Sequence, residues 1–336
     1  MLFWVSVSFA ADPDFDVRPF AWVQPRVTWE ESVPEAAAGE GAPRIEAAAR
    51  VGIEAQSAAL HLRGRVEVAA ASNGSLSGTD AFVAWSPHAV VAVYAGRFKV
   101  PFGVQALATD YRLQLPNYAP VVAEVAFGRY PGAMAEFRLP IAQKIRGTLS
   151  VAAFETGPKY QDDGELVPSV LSTARLQLLP LGPRERPVEG TMREPFIGIG
   201  AAVSHDPTAV DAETELLSAW EADIQVAFGI FSLQGEYLER SGFYVEGAGG
   251  YGQLGLFIPA PWARDHLELV GRFGGLDADV TDDLTQPELS IEGGLNLYVP
   301  ESPAWMHDVK LQLAWRSGLG ESAISDRFDA AATVRF

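Results

Sequence analysis

The feature that most constrains this chain is a two-residue alternation of apolar and polar side chains, which recurs along most of its length. It is regular in 44–56, 265–275 and 287–299, and again in the closing stretch DRFDAAATVRF. Successive side chains of a β-strand point to opposite faces, whereas helical spacing would spread these charges around the axis. The chain is therefore predicted to be all-β.

Sixteen alternating segments can be recognised. They are 15–29, 44–56, 59–70, 80–86, 90–99, 132–139, 143–155, 168–179, 195–205, 216–228, 230–240, 248–258, 265–275, 287–299, 307–317 and 326–336. An even number of strands lets both termini lie on the same side of the sheet. No linker divides the 336 residues, and a closed sheet grows by adding strands rather than by thickening a core. One closed barrel therefore explains the length better than two soluble domains do.

The number of strands decides which face points outward. Sixteen strands enclose a lumen too wide for side chains to fill, so an apolar inner face would have nothing to pack against. The apolar faces must then meet lipid while the charged faces line water. Each spanning strand needs only about 9–11 residues. We therefore predict a 16-stranded antiparallel transmembrane β-barrel; the alternative reading of such alternation is a soluble sandwich.

Both ends of the chain have segments that resemble processing signals. The apolar segment 1–10 has Ser8 and Ala10 at the small-residue positions of a signal-peptidase site, so it is either a truncated signal peptide or an ordinary first strand. Residues 11–336 are then one barrel domain. The tail resembles the closing strand of bacterial outer-membrane barrels, and this resemblance implies that Phe336 is read by the barrel assembly machinery.

Composition excludes several functions. A net charge of -18 argues against a nucleic-acid partner, and the absence of cysteine excludes disulfides and cysteine-ligated metals. The acids cluster between strands, as in 30–40, 162–165, 211–215 and 277–283, where they form solvated loops or bind divalent cations that bridge lipopolysaccharide. No HExxH, P-loop or GxSxG motif occurs, and Ser204 and His205, as neighbours in a strand, point to opposite faces. We therefore predict no enzyme, no metal and no cofactor.

The longest connection, 100–131, is predicted to fold into the lumen as a constriction loop, because a connection of over about 20 residues needs a structural reason. The octapeptide GRFKVPFG at its start resembles the phosphate-selective porin O/P family, and the runs at 220–255 and 267–273 resemble the C-terminal half of that family. The resemblance implies an outer-membrane barrel, typically a homotrimer, that passes anions.

Basic residues around this loop are the candidate anion pathway. If Tyr94, Gly96 and Phe98 face lipid, then Arg97 and Lys99 face the lumen. The full set is Arg97, Lys99, Arg112, Arg129, Arg138, Lys144 and Arg146. Such cations lower the barrier for an anion in a narrow, low-dielectric pore. The alternative is that they pair with acids facing the lumen, such as Glu67, Glu136, Glu155, Glu221 and Glu236.

The function predicted from these observations is a porin for passive diffusion of small anions, phosphate-like or polyphosphate-like, and of small hydrophilic solutes. Lipid and lipopolysaccharide of the outer membrane are the expected surroundings. Phosphate selectivity in the family depends on lysine, and this chain has Lys only at 99, 144, 159 and 310. The alternative is a barrel that does not conduct and that acts as an adhesin or structural anchor through its acidic extracellular loops.

Overall fold

The structure is a computed structural model that describes eleven ranges of the chain. These are 15–30, 43–142, 145–160, 166–182, 195–207, 217–242, 247–263, 266–277, 288–299, 308–319 and 326–335. The segment 1–10, Lys144 and Phe336, for which we made predictions from the sequence, lie outside these ranges.

Sixteen strands form one closed antiparallel barrel. They are β1 (Asp16–Glu30), β2 (Arg44–Ser57), β3 (Leu62–Ala71), β4 (Leu76–His88), β5 (Val91–Lys99), β6 (Arg129–Pro140), β7 (Arg146–Tyr160), β8 (Leu166–Leu181), β9 (Phe196–Asp206), β10 (Leu217–Phe228), β11 (Phe231–Ser241), β12 (Gly247–Phe257), β13 (Leu267–Asp277), β14 (Glu288–Val299), β15 (Asp308–Leu319) and β16 (Arg327–Arg335). Each strand pairs with the next, and β1 pairs with β16 to close the ring. The predicted number of strands and the predicted closure are confirmed.

The side chains have the inverted arrangement that the sequence predicted. In β13, Leu269 and Phe273 are 46% and 54% exposed on the outer face, whereas Glu268 and Arg272 on the inner face are 0% and 3% exposed. The same division holds in β14, where Ile291 is exposed and Glu292 is buried. Closure pairs the backbone groups of every strand, which a hydrocarbon environment requires.

Aromatic side chains form two belts on the outer face. One belt lies near the strand ends joined by longer connections and contains Trp29, Trp220, Tyr237, Trp315 and Phe328. The other lies near the short turns and contains Trp85, Phe228, Phe231 and Trp262. Such belts sit at the two interfaces of a bilayer, where an amphipathic ring meets both hydrocarbon and water.

The connection between β5 and β6 folds into the barrel, as predicted. It contains the short helices α1 (Val104–Leu107) and α2 (Pro120–Val125), with a 3-10 turn at Asp110–Arg112 between them. No helix in the described part of the chain is long and apolar enough to cross a membrane. We call residues 100–128 the inward loop.

Candidate functional site: the lumen and its inward loop

The predicted orientation of β5 was wrong for Tyr94, Phe98 and Arg97, although the Lys99 ammonium reaches the interior as predicted. Tyr94 and Phe98 face the interior, where their rings lie 5.9 Å and 6.1 Å from the ring of Phe82. Arg97 is exposed on the outer face, in the same cross-strand row as Ala81 and Pro131. The interior here is aromatic because the inward loop covers this strand with apolar side chains. Arg97 is therefore removed from the predicted channel lining.

Lys99 lies at the root of the inward loop. Its Nζ donates hydrogen bonds to the carbonyl oxygens of Ala106 at 2.6 Å and Ala108 at 2.5 Å. These carbonyls follow or end α1, where helical carbonyl groups lack partners within the helix. Lys99 thus fixes the path of the loop by satisfying two of its carbonyl groups.

The start of the inward loop is anchored on β11. The Glu236 carboxylate accepts hydrogen bonds from the backbone N–H groups of Val104 at 2.6 Å and Gln105 at 3.2 Å. The hydroxyl of Tyr251 donates to the same carboxylate at 3.0 Å. Gly103, at φ +76°, turns the chain so that these N–H groups point at Glu236. A side chain at Gly103 would meet both this backbone strain and the carboxylate, 3.0 Å from the Cβ position.

The middle of the loop is anchored on β13 to β15. Lys310 donates to the carbonyl of Leu113 at 2.6 Å, and Asn296 donates to the carbonyl of Gln114 at 2.8 Å. The Gln114 side chain in turn donates to Glu268 at 2.5 Å. Buried carbonyl groups without partners would be costly, so polar side chains on the wall that match them one by one hold this segment in place.

Arg272 anchors the next turn of the loop. Its guanidinium donates to the carbonyls of Asn117 at 3.1 Å and Tyr118 at 3.2 Å. The same group makes a two-pronged contact with Glu292, at 3.1 Å and 2.6 Å. Arg26 of β1 reaches Asn117 from the other side, at 2.6 Å from its Oδ1. One short segment of loop is therefore clamped between β13 and β1.

Helix α2 covers an apolar patch on the inner wall. Val121, Val122 and Val125 are buried in one cluster with wall residues that include Leu238 and Leu276. A water-filled lumen would not favour such apolar wall residues, but a covering helix does, since burial removes both surfaces from water. The wall from β7 to β13 is thus partly a packing surface.

On the opposite side, the loop reaches β2 through a row of alternating charges. The row runs Asp110, Arg50, Glu67, Arg65, Asp80 and Arg129. Asp110 contacts Arg50 at 2.5 Å, and Arg129 contacts Asp80 at 2.7 Å. Three acids and three arginines cancel, so this row supplies no net charge to a passing ion. Arg129 is paired with an acid, Asp80, as in the alternative to a free channel cation that the sequence left open.

Tyr118 supports the same contact from within the loop. Its hydroxyl donates to Asp110 Oδ1 at 2.6 Å. Burial, and then the neighbouring Asp110 carboxylate, raise the pKa of Tyr118 above its usual range. The phenol therefore stays a neutral donor, and Asp110 is held by two partners, Tyr118 and Arg50.

A cavity of about 500 Å³ lies between the inward loop and the wall of β6 to β8. Five cationic side chains and one carboxylate line it, from the described part of the chain. They are Arg63, Lys99, Arg138, Arg146, Arg175 and Glu136. Only five residues separate the end of β6 at Pro140 from the start of β7 at Arg146, so the cavity lies on the side of the loop where the connections are short. We call it the cationic cavity.

The cations of this cavity differ in how far they are neutralised. Arg138 contacts Glu136 at 2.9 Å, Arg63 contacts Glu54 at 3.0 Å, and Arg175 contacts Glu221 and Asp223. The Lys99 ammonium bonds to two carbonyl oxygens and lies in the field of the Asp110 and Asp80 carboxylates, whereas no carboxylate among the described residues pairs with Arg146. The excess of positive charge in the cavity therefore comes from Arg146.

Solved structures share this architecture. OmpF of Salmonella typhi aligns with a TM-score of 0.65 at 10% identity, over 97% of this chain and 99% of that one. OmpT of Vibrio cholerae, as a loop-deletion mutant, aligns with 0.59 at 11%, and a triple mutant of the Rhodopseudomonas blastica porin with 0.60 at 11%; each covers 96% of this chain and 100% of the other. The chain has the porin fold.

The likeness lies in structure rather than in sequence. No family model matches the chain, and no curated protein matches it. Identities of 10–11% show the porin fold alone. The predicted resemblance to the phosphate-selective family is not among these findings and stays a prediction.

The structure spreads the other predicted residues around the lumen. Arg138 and Arg146 line the cationic cavity with Lys99, whereas Arg112 sits in the loop with its guanidinium 5.8 Å from the ring of Tyr111. Lys144 falls outside the described residues. The predicted set therefore divides into a cavity group, a paired residue (Arg129), a loop residue and the outward Arg97.

Several important residues were missed from the sequence. Arg175 and Arg63 line the cavity from distant strands, and Glu236 and Arg272 hold the loop. Each is a charged residue at an inward position of a strand, which the alternation does reveal. What the alternation cannot reveal is which inward residues the loop contacts.

Proposed function

We propose that the chain is a passive diffusion channel of the bacterial outer membrane that prefers small anions to cations. The apolar outer face and its two aromatic belts support insertion into a bilayer. OmpT of Vibrio cholerae, whose structure aligns with this chain, is an outer membrane protein, and this supports the outer membrane as the location. The polar lumen supports passage of hydrated solutes. Such a channel needs no catalytic step.

The single observation that carries the anion preference is the charge of the cationic cavity. Arg146 adds positive charge that no carboxylate among the described residues cancels, whereas the row of charges between the loop and β2 is balanced. In a confined space of reduced dielectric constant, such charges favour anions over cations. The proposal covers phosphate-like anions as members of this class.

The test is the reversal potential of the purified protein in a planar bilayer under a KCl gradient. A potential of the sign set by chloride is expected, and Arg146→Gln should move it toward zero. Arg97→Gln is the matched control, because Arg97 is exposed on the outer face. A wild-type potential of the sign set by potassium would reject the anion preference.

A homotrimer is part of the proposal, and one observation supports where the copies would meet. The outer face of β6 to β9 has a shallow groove of about 600 Å³ lined by small side chains that include Ala133, Ala135, Ala153 and Ala174. Small residues let membrane-spanning elements approach closely. Ala153→Trp should shift the detergent-solubilised protein from trimer to monomer in native mass spectrometry; a wild-type monomer would reject the trimer.

The second candidate is a barrel that does not conduct and works as an adhesin or anchor. It is favoured by the extent of loop anchoring, since the inward loop bonds to β2 through Arg50 and to β11 through Glu236. A loop that bridges the lumen in this way could plug it. Negligible conductance together with calcium-dependent binding by the loops would favour this candidate over the channel.

A further inference from the structure

The cationic cavity has two unlike sides. The wall strands contribute its charges, through Arg138 of β6, Arg146 of β7 and Arg175 of β8. The inward loop contributes only Pro101 and Leu107, both apolar. A passage for inorganic ions alone would gain nothing from an apolar side, since hydrocarbon offers no substitute for the water around such an ion.

The apolar side continues onto the wall. Met134 of β6 and Leu179 of β8 also line the cavity, at inward positions where the other strands mostly carry polar residues. Together with Pro101 and Leu107 they give four apolar contacts beside the cations. Methionine adapts its shape to different hydrocarbon groups. The lining therefore matches a molecule with one charged end and one apolar end.

The size of the cavity fits the same class of molecule. Sites for small organic ligands usually occupy about 300–1,000 Å³ and combine a mostly apolar lining with a few placed polar groups. At about 500 Å³ the cationic cavity falls within that range. An arginine such as Arg146, with no carboxylate partner among the described residues, has its planar fork free for a carboxylate.

We propose that the cationic cavity is a binding site for small organic monoanions, whose carboxylate contacts Arg146 and whose hydrocarbon part lies against Leu107 and Met134. This inference rests on the proposed anion channel and names the class of anion that it favours. Binding is weak and reversible, since the site lies on the path of diffusion. Inorganic phosphate has no hydrocarbon part, so only the cationic side chains stabilise its binding.

The test measures block of chloride current in single channels by sodium acetate, sodium hexanoate and sodium phosphate. Each buried methylene group strengthens binding about fourfold, so partial burial of the hexanoate chain should lower its half-blocking concentration about tenfold relative to acetate. Phosphate should block no better than acetate. Equal half-blocking concentrations for acetate and hexanoate would overturn the inference.

Variants separate the two sides of the site. Leu107→Ser should raise the half-blocking concentration of hexanoate several-fold and leave that of acetate unchanged, whereas Arg146→Gln should raise both. Met134→Thr tests the same side should Leu107→Ser not assemble, and Arg97→Gln is the control. A hexanoate-to-acetate ratio unchanged by the apolar substitutions overturns the inference.

The outcomes distinguish the two levels of the proposal. Chloride preference with no advantage for hexanoate removes the organic-anion site and keeps the channel. Cation preference in the KCl gradient removes the proposed function itself. Stronger block by phosphate than by hexanoate assigns the cavity to inorganic anions instead.

Discussion

The two halves of the inner wall are built for different tasks. On β11 to β15, Glu236, Glu268, Arg272 and Asn296 are almost fully buried because their polar atoms bond to the inward loop. On β6 and β7, Arg138 and Arg146 stay partly accessible and line a cavity. The same inward alternation of polar residues thus makes a support on one side and a lining on the other.

The difference teaches that a polar inner face does not by itself mark a conducting path. A loop that folds into a lumen must have its backbone groups satisfied, and the wall beneath it supplies the partners. The charged side chains of that wall therefore bond to groups within the protein. Only charge left without an internal partner, as at Arg146, can act on a solute.

The largest effect is expected from the supporting wall. Arg272→Ala removes one partner of a buried ion pair and leaves Glu292 without its cation, which should lower the free energy of unfolding by about 3–5 kcal/mol. Urea unfolding in lipid vesicles measures this. The control is Arg97→Ala on the outer face, and equal losses for both variants would contradict the distinction between the walls.

A smaller effect is expected where the loop begins. Glu236→Ala leaves the N–H groups of Val104 and Gln105 without their acceptor, a cost of about 1–3 kcal/mol. Hydrogen exchange at residues 103–107 should become faster, while exchange in β14 stays slow. Glu236→Gln keeps one acceptor oxygen and should lie between wild type and Glu236→Ala; unchanged exchange in Glu236→Ala would show that the anchor is not needed.

The contact between the two walls can be measured by a double-mutant cycle. Arg50→Gln, Asp110→Asn and the double variant should give a coupling energy of about 0.5–3 kcal/mol, as groups in direct contact do. Each single variant should also increase single-channel conductance, because this contact joins the loop to β2. Additive effects with unaltered conductance would mean that the contact does not restrict the path.

The smallest effect is expected at the outer face. Arg97→Gln should change the free energy of unfolding by no more than about 1 kcal/mol, the range for charged residues near the membrane interface. Its reversal potential under a KCl gradient should equal that of wild type. A shift as large as that of Arg146→Gln would mean that Arg97 contacts the solute path after all.

The alternation predicted the fold closely because the surrounding lipid requires an apolar outer face on every strand. β13 and β14 have the predicted faces, β8 contains the predicted segment 168–179, and β9 contains 196–205 of the predicted segment 195–205. Each strand places apolar side chains outward and polar side chains inward, so the pattern can be recognised in one strand without knowledge of the neighbouring strands.

The alternation gave the wrong orientation for β5, because the inward loop places apolar side chains inside the barrel next to this strand. Tyr94 and Phe98 face inward because they pack with the apolar part of the loop, including Phe102 and Val122. This reverses the apparent parity and put Arg97 on the wrong face in the prediction. The loop's contacts join residues more than 100 positions apart, such as Gln105 and Glu236, and no local pattern encodes such pairings.

The most direct test of the account is which wall a solute can reach. The chain has no cysteine, so Thr148→Cys in the cationic cavity and Ser290→Cys on the inner face of β14, 2% exposed, can each carry the sole thiol. A negatively charged thiol reagent added during recording should react quickly with Thr148→Cys and reduce the current, and it should leave Ser290→Cys unmodified. Fast modification of Ser290→Cys with no block at Thr148→Cys would contradict the account.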